Sequence, residues 1–352
     1  MKMNRSLLAS AWTLPFLIAL AAPADRPSFH PAQGLVVTKT FTTQNHAVLE
    51  DMQMSMGGQS HPMPEMSMEM DIEQTVEVTD TYAEVSGGKV MKLVRRFDTL
   101  SGQGSMSTDV PGMGAQDKDV TIASALEGKT VVFTWNEDTG EHEIAYAGGD
   151  GDQALLEGLE EPMDLRALLP EEDVEEGATW EIDVKSLTSV LMPGGDLKLE
   201  PEDEEIRQMP GMGGNLSNLS DLLGDTVQGQ ATGEYRGKRT VDGVEVAVIG
   251  LKIEIKSSSD MTEQVRENMQ NLPPGMPKME VDHVDVDLEM TGEGTLYWDL
   301  AAGIVHSFEF SGTARTVVDI GMSIEQGEGT MEFEQTMEMS GTFGSKLATS
   351  KG

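Results

Sequence analysis

The sequence predicts a mainly β protein built around a long, strongly curved antiparallel sheet, half-barrel-like in shape, with two or three short flanking helices. Apolar and polar residues alternate through most of the chain, which is the pattern of half-buried strands. Several alternating runs far exceed the usual strand length of about 5–6 residues. Short turns rich in Gly, Asp and Asn, as at 86–89 and 136–140, are typical of antiparallel hairpins.

The alternation predicts the strands in order along the chain. They are expected at 35–41, 66–85, 90–100, 130–135, 141–146, 179–184, 230–240, 244–257, 281–298, 304–322 and 330–343. Strands of this length fit one core only if the sheet twists and curves, because a flat sheet of that span would not cover it. We therefore expect a curved sheet whose concave side is apolar.

Helix signals are scarce. The segment 152–170 begins with an acidic capping residue, is rich in leucine and is interrupted at Pro162. The segment 259–275 carries apolar residues on one helical face and ends at its Pro-Pro pair. A weaker candidate lies at 215–224. We expect these helices to lie against the concave side of the sheet.

The N-terminus has the pattern of a secretory signal peptide at 1–24. Lys2 and Arg5 precede an apolar run at 7–22, and small residues follow. The run is short for a membrane span, and no later stretch is long and apolar enough to be one. We therefore expect an exported, soluble protein, periplasmic or extracellular.

The mature chain at 25–352 is expected to form a single β domain. A helical and loop segment near 150–225 leaves open a division into two sub-halves. The sequence contains no cysteine, so we expect neither a lipid anchor nor a disulfide. A chain without disulfides depends on its apolar core, and this one is long enough to build a large core.

Charge limits the partners. The chain has 61 acidic and 24 basic residues, a formal net charge of −37. Such a charge repels phosphate backbones and anionic lipid headgroups, so nucleic acid and electrostatic docking on membranes are disfavoured. Cations, basic proteins or a salty medium fit this surface better.

The patterns that mark common catalytic sites are absent from the sequence. The six histidines form no His-x-x-x-His pair, and there is no Gly-x-Ser-x-Gly elbow, phosphate-binding loop or dinucleotide fingerprint. A cysteine nucleophile is also excluded. We therefore expect a non-enzymatic protein without a cofactor.

The segment 52–70 is unusually rich in methionine. In the stretch MSMEMDIEQTVEV, methionines and an isoleucine alternate with polar residues, and further methionines precede a predicted hairpin loop at 57–64. Methionine is unbranched and adaptable, so this stripe indicates a deformable apolar face, either an irregular core or a shallow pocket for an apolar ligand. The candidate ligand-face residues are Met52, Met54, Met56, Met66, Met68, Met70 and Ile72.

The same segment supports an alternative from a different class, a Met-rich periplasmic protein that binds Cu(I). Thioether sulfur is a soft ligand that suits Cu(I), and a histidine lies within the segment. The sulfurs of two paired strands would lie about 5 Å apart across the pair. The alternation nevertheless grades smoothly into ordinary core residues, which favours the apolar face. The candidate copper ligands are Met54, Met56, His61, Met63, Met66 and Met68.

Two later segments, LPEEDVEEGATWEIDV at 169–184 and GEGTLYWDLAAGIVHSFEFSG at 292–312, carry distinctive patterns. In the first, a Pro, a Val and a Gly-x-x-Trp open a strand, and in the second a Gly-x-Gly precedes an aromatic-Asp-x-x-x-Gly turn. The residues in these patterns are Pro170, Val174, Gly177, Trp180, Gly292, Gly294, Trp298, Asp299 and Gly303.

With these patterns, the chain from about residue 130 onward resembles a group of uncharacterised exported bacterial proteins, a domain of unknown function. The resemblance implies no activity. The long strands and flanking helices of the group are similar in outline to the half-barrels of outer-membrane lipoprotein carriers, which hold acyl chains against a concave apolar face.

The functional expectation is therefore a non-enzymatic, exported envelope protein. It binds a hydrophobic or lipid-like ligand on its concave face, or it serves as an envelope or matrix component without a ligand. Cu(I) binding by the methionine-rich segment is the alternative.

Overall fold

A computed structural model describes residues 26–61, 66–110, 112, 114–207, 227–269, 279–326 and 329–352. The predicted signal peptide at 1–24 lies outside these residues. The strands are β1 Val36–Met56, β2 Gln59–His61, β3 Ser67–Ser86, β4 Lys89–Val110, β5 Gly114–Ala123, β6 Thr130–Asn136, β7 Glu141–Tyr146, β8 Thr179–Ile182, β9 Glu200–Pro201, β10 Gln228–Val241, β11 Val244–Asp260, β12 Met279–Asp299, β13 Ile304–Gln326 and β14 Gly329–Lys351.

The strands form one antiparallel sheet that is not closed. Its path runs β7-β6-β4-β3-β1-β14-β13-β12-β11-β10-β8, with β2, β5 and β9 attached beside it. β1 pairs with β14 from Val37 opposite Lys351 to Met56 opposite Phe333, so the first and last strands lie side by side in the middle of the path. The prediction of a mainly β, antiparallel fold is confirmed.

The predicted α-helix at 152–170 does not form. This segment contains only 3-10 turns, at Gln153–Leu156 and Arg166–Leu168. Gly158 and Leu165 lie on either side of Pro162 with φ angles of 78° and 59°, and this left-handed backbone interrupts a right-handed helix. Leucine spacing alone therefore overstated the helix content here.

The second helix candidate is confirmed as the helix α3. The single helical turns α1 at Thr188–Leu191 and α2 at Glu204–Arg207 precede it, and α3 spans Thr262–Met269. The proposed end of α3 in the Pro-Pro pair and the weaker candidate at 215–224 lie outside the described residues. The expected count of two or three short flanking helices is thus not confirmed, because α3 is the only described α-helix longer than one turn.

The main core lies between the sheet and the chain segment that links β7 to β10. Buried Tyr82, Phe97 and Trp298 from the sheet share one apolar cluster with Leu168 and Leu187 from that segment. Burial of such side chains is the main favourable contribution to folding. The described residues of this segment that lie outside the sheet therefore cover part of one of its faces.

Several glycines within the strands allow close approach of neighbouring backbones. A Cβ atom built on Gly104 would lie 2.0 Å from the carbonyl oxygen of Asp71, and one on Gly341 would lie 2.1 Å from that of His46. A side chain at either position would collide with the adjacent strand. Glycine within a strand typically marks such an approach or a tight bend.

Candidate functional site

One row of side chains on β3 runs from half-buried positions into the core. Met68, Met70 and Ile72 are half-buried, whereas Gln74 and Val76 are buried. These residues alternate along the strand and so lie on the same face of the sheet. The row is the methionine stripe that the sequence predicts, and it leads directly into the main core.

β1 contributes a second row, and a β-bulge keeps its methionines on the same face. Leu49 lies opposite Met339, and after one extra residue Met52 lies opposite Met337. Without the bulge, residues 49 and 52 would point to opposite faces of the sheet. The bulge therefore aligns Met52, Met54 and Met56 with the part of β1 that lines the core.

A cavity of about 400 Å³ lies beside residues 41–47 of β1 and residues 70–76 of β3. This volume is within the range of about 300–1,000 Å³ that is typical of ligand pockets. Its walls come from β1, β3, β5, β12, β13 and β14, and from residues 190–206. The large apolar side chains of the wall include Phe41, Met70, Ile72, Leu288, Met290 and Phe343.

The covering segment at 190–206 is tied to the sheet by polar contacts. β9 pairs with β5, and the Ser124 hydroxyl donates a hydrogen bond of 2.6 Å to the Leu197 carbonyl. Buried Val190, Leu197 and Ile206 from this segment line the cavity. The cavity is therefore a space between the sheet and its cover.

Gln74 and Ser345 are the buried polar residues in the cavity wall. Gln74 is 7% exposed, and its Nε2 atom has no hydrogen-bond partner. The Thr43 hydroxyl lies 3.4 Å from the Oε1 atom, which makes a long hydrogen bond. The hydroxyl can donate to Oε1 or, if the amide is turned over, accept from Nε2. In both orientations one end of the amide lacks a protein partner, at a cost of about 1–3 kcal/mol.

Among the described residues of the cavity wall, His46 is the basic side chain, and its Nδ1 is hydrogen-bonded to Asp71. None of the described residues that line the cavity is Lys or Arg. The carboxylate in the wall, that of Asp196, accepts a hydrogen bond of 2.6 Å from Lys198. An anionic group inside the cavity would therefore have no cationic partner, which makes burial of a charged headgroup costly.

A buried ion network lies beyond the inner end of the cavity. The Lys39 ammonium donates to Asp80 at 2.8 Å, and the Arg95 guanidinium donates to both oxygens of Asp80 at 2.8 and 3.0 Å. All three side chains are at most 1% exposed. Arg95 also donates to the carbonyls of Glu160 and Glu161, at 3.0 and 2.8 Å. The network therefore ties residues 160–161 to β1, β3 and β4.

The charges of this network stabilise one another. Burial alone would raise the pKa of Asp80, but Arg95 and Lys39 outweigh it and lower that pKa to about 2. Burial alone would lower the pKa of Lys39, but the charge of Asp80 raises that pKa above its ordinary value. All three groups are thus charged at neutral pH and are hydrogen-bonded within the core.

A second part of the network holds the chain before β1. Arg166 binds Asp164 at 2.6 Å and Glu161 at 2.9 Å, and its guanidinium carbon lies 3.8 Å from the centre of the Phe29 ring. The indole of Trp298 donates to the carbonyl of Ser28 at 3.1 Å. These contacts are structural, and they do not reach the cavity wall.

The structure brings some of the predicted ligand-face residues to the cavity. Met70 and Ile72 line it, and Met68 packs against the small apolar cluster that contains Met106. Met66 is half-buried just before β3. Met52, Met54 and Met56 lie farther along β1, opposite Met337, Gln335 and Phe333 of β14, and do not line the cavity.

The candidate copper ligands are only partly described. Met63 lies outside the described residues, and the backbone of His61 lies in β2 opposite Met54. The turn of this β1–β2 hairpin is at Gly57 and Gly58, so it is tighter than the predicted loop at 57–64. β3 pairs with β1 only as far as Glu69 opposite Val48, and the two methionine rows are therefore not directly opposite each other.

A group of potential metal ligands occurs on the outer face of the sheet. Single ligand atoms of His46, Glu69 and Asp71 all lie within 4.8 Å of one another. His46 Nδ1 is 2.9 Å from Asp71, its partner across the β1–β3 ladder, and all three side chains are substantially exposed. An exposed cross-strand hydrogen bond accounts for this arrangement without an ion.

Sequence reasoning missed Gln74 and most of the distant cavity wall. Gln74 carried a usable signal, because it occupies a core-facing position in the alternating run Met70, Ile72, Gln74, Val76. Leu288 and Met290 carried no such signal, since their place opposite β3 depends on how the sheet bends.

Comparison with known proteins does not assign this chain to a family. No protein-family model matches the chain, and no curated protein is similar to it in sequence. No helix among the described residues is long and apolar enough to cross a membrane.

Proposed function

We propose that this protein is a non-enzymatic, exported β-protein that binds a hydrophobic, lipid-like ligand in the cavity between the sheet and residues 190–206. The cavity carries this proposal: its wall is mainly apolar, its volume suits a small molecule, and a single buried amide, that of Gln74, is left without a partner. Apolar pockets with few polar groups are the usual form of small-molecule sites.

The shape of the sheet and the export of the protein belong to the same proposal. The sheet would be strongly curved and half-barrel-like, since β3 and β12, which are separated in the path by the three strands β1, β14 and β13, line one cavity with β5. The glycines at close strand approaches support such bending. The signal-like N-terminus and the resemblance to exported bacterial proteins support a role in the cell envelope.

Dye binding tests this proposal. Nile red is neutral and fluoresces in apolar sites, so the purified protein should bind it saturably. Ala314 lines the cavity, and Ala314→Trp should fill space and weaken binding by roughly tenfold or more. Ala348→Trp is the matched control, because Ala348 is exposed on β14 and does not line the cavity.

Equal binding by both tryptophan variants would contradict the proposed site. Circular dichroism checks that Ala314→Trp is folded. If that variant does not fold, Ala47→Trp gives a second test, because Ala47 also lines the cavity and is only half-buried.

Cu(I) binding is the second candidate function. The observation in its favour is the backbone register that places His61 opposite Met54, so that both residues belong to one face of the hairpin. Titration with Cu(I) against a competing chelator tests it, with Met66→Leu/Met68→Leu as the comparison. Leucine removes the sulfur but keeps the apolar volume. Equal affinity of wild type and double variant would exclude Met66 and Met68 as copper ligands.

A further inference from the structure

We infer that the cavity selects an uncharged ligand that carries a hydrogen-bond acceptor, such as an ester or amide of a long acyl chain, and that the Gln74 amide binds this acceptor. The inference rests on the proposed function and specifies its ligand. It is carried by the geometry of Gln74 in the cavity wall and by the charges around it.

The unpartnered amide indicates hydrogen bonding to a ligand. Gln74 lies in the cavity wall on β3, between Ile72 and Val76 of the same row, and its Nε2 atom has no partner. An unsatisfied buried polar group is uncommon, and it calls for a specific explanation. An apolar residue at this position would have completed the row without that cost. A ligand acceptor would satisfy the amide at the one polar position in the buried part of the row.

The side chain has the freedom to reach such an acceptor. The Nε2 atom is itself buried, but the terminal torsion of glutamine is broad, so the amide can rotate towards a ligand without leaving a rotamer well. Gly102 lies directly opposite Gln74 on β4, and a Cβ atom built on Gly102 would lie 2.9 Å from the Gln74 Cγ atom. The missing side chain at Gly102 therefore provides the room in which the glutamine lies.

The surroundings favour a neutral acceptor over a carboxylate or phosphate. No Lys or Arg occurs among the described residues that line the cavity, and the carboxylate of Asp196 in the wall already binds Lys198. The chain as a whole carries a formal charge of −37. A buried anion would meet no counter-charge, and the overall field would oppose its approach. The amide of Gln74 is neutral, so it suits an ester or amide carbonyl.

The buried cations of the core do not alter this conclusion. Lys39 lies farther along β1 and Arg95 lies on β4, but their donors are engaged by Asp80, Tyr82 and the backbone. Neither of them lines the cavity. They therefore hold residues 160–161 and are not a site for an anionic headgroup.

Three probes of equal chain length separate acceptor and charge: a long-chain methyl ester, the matching carboxylate and the matching alkane. Each probe displaces Nile red from wild type, from Gln74→Leu and from Gln103→Leu. The last variant is the matched control, because Gln103 is an exposed glutamine on β4. Wild type should prefer the ester to the other two probes.

Gln74→Leu should weaken ester binding by about 3- to 10-fold, the effect of one lost hydrogen bond, and leave alkane binding unchanged or tighter. Gln103→Leu should behave like wild type. The inference is overturned if the ester binds equally to wild type and Gln74→Leu, or if wild type prefers the carboxylate, and cavity binding itself would then still stand. If wild type binds neither Nile red nor any probe, the proposed function fails and the inference fails with it.

Discussion

Replacing Arg95 by methionine should severely destabilise the protein, because this residue connects residues 160–161 to the sheet. The guanidinium makes two hydrogen bonds to Asp80 and one each to the carbonyls of Glu160 and Glu161. It is fully buried and lies against the ring of Phe133, 5.2 Å from the ring centre. Methionine retains much of the apolar packing and removes all four hydrogen bonds.

The magnitude follows from what the change leaves behind. Breaking a buried ion pair from one side costs about 3–5 kcal/mol, since the remaining charge stays in the core. Here Lys39 still neutralises Asp80, which reduces that cost. The two carbonyls lose their donor, at about 1–3 kcal/mol for each group that stays dry. We expect a total loss of about 4–6 kcal/mol, a large part of the roughly 5–15 kcal/mol that stabilises a typical domain.

Arg96→Met is the matched control. Arg96 is the next residue on β4, is 60% exposed and pairs with Asp98 at the surface, so its loss should cost less than about 1 kcal/mol. Urea unfolding followed by tryptophan fluorescence gives both values. Hydrogen exchange should increase at 159–169 in Arg95→Met and stay unchanged there in Arg96→Met. A similar loss of stability in the two variants would refute the anchoring role of Arg95.

Three further predictions test other parts of the structure. Gly104→Ala should destabilise the protein by about 1–3 kcal/mol or more in the same urea assay, because the new methyl group meets the Asp71 carbonyl oxygen. Gly148 has open space around it, so Gly148→Ala should be neutral, and equal effects of the two variants would contradict the close approach. Met68→Leu should cost less than about 1.5 kcal/mol of stability, but Met68→Asp should cost more than about 2 kcal/mol, because it buries a carboxylate beside an apolar cluster. If thermal unfolding shows that aspartate is tolerated, this face is exposed to solvent. The stabilisation that Asp80 contributes is complete above its ordinary pKa of 3.8 and is lost as the pH falls towards about 2. Acid unfolding of wild type should therefore show a loss of stability in this pH range, and that loss should be smaller in Arg95→Met. An identical loss in both proteins would argue against the Asp80–Arg95 pair.

The sequence could predict most strands because alternation reports directly on a sheet with one apolar face. The predicted strand at 141–146 matches β7 at both ends. β1 was predicted to end at Phe41, because the run Thr42–His46 is too polar for the alternating pattern. The strand in fact continues to Met56. Pairing with both β3 and β14 supplies the hydrogen bonds that hold this polar run extended.

The buried network could not be predicted, since its members are distant in sequence. Lys39 and Asp80 lie 41 residues apart, and Arg95 finds its carbonyl partners 65 and 66 residues away. A lysine in an alternating run would ordinarily end the apolar stripe, because charged side chains are rarely buried without a partner. Only the pairing of β1, β3 and β4 reveals that the partners are present.

The sequence predicts an adaptable apolar face along the methionine stripe, and two of its residues, Met70 and Ile72, line the cavity. The contributions of Phe343 and of residues 190–206 depend on the sheet order and on the segment that covers it. No local pattern in the sequence encodes those contacts.

Mass spectrometry of organic extracts tests the central claim most directly. The protein is purified without detergent from the cells that produce it naturally, extracted and compared with Ala314→Trp prepared in the same way. The account predicts a neutral, acyl-chain-bearing molecule in stoichiometric amount from wild type and little from the variant, whose cavity is filled. Repeatedly empty extracts from wild type, or equal amounts of lipid from both proteins, would contradict a ligand-binding role for the cavity.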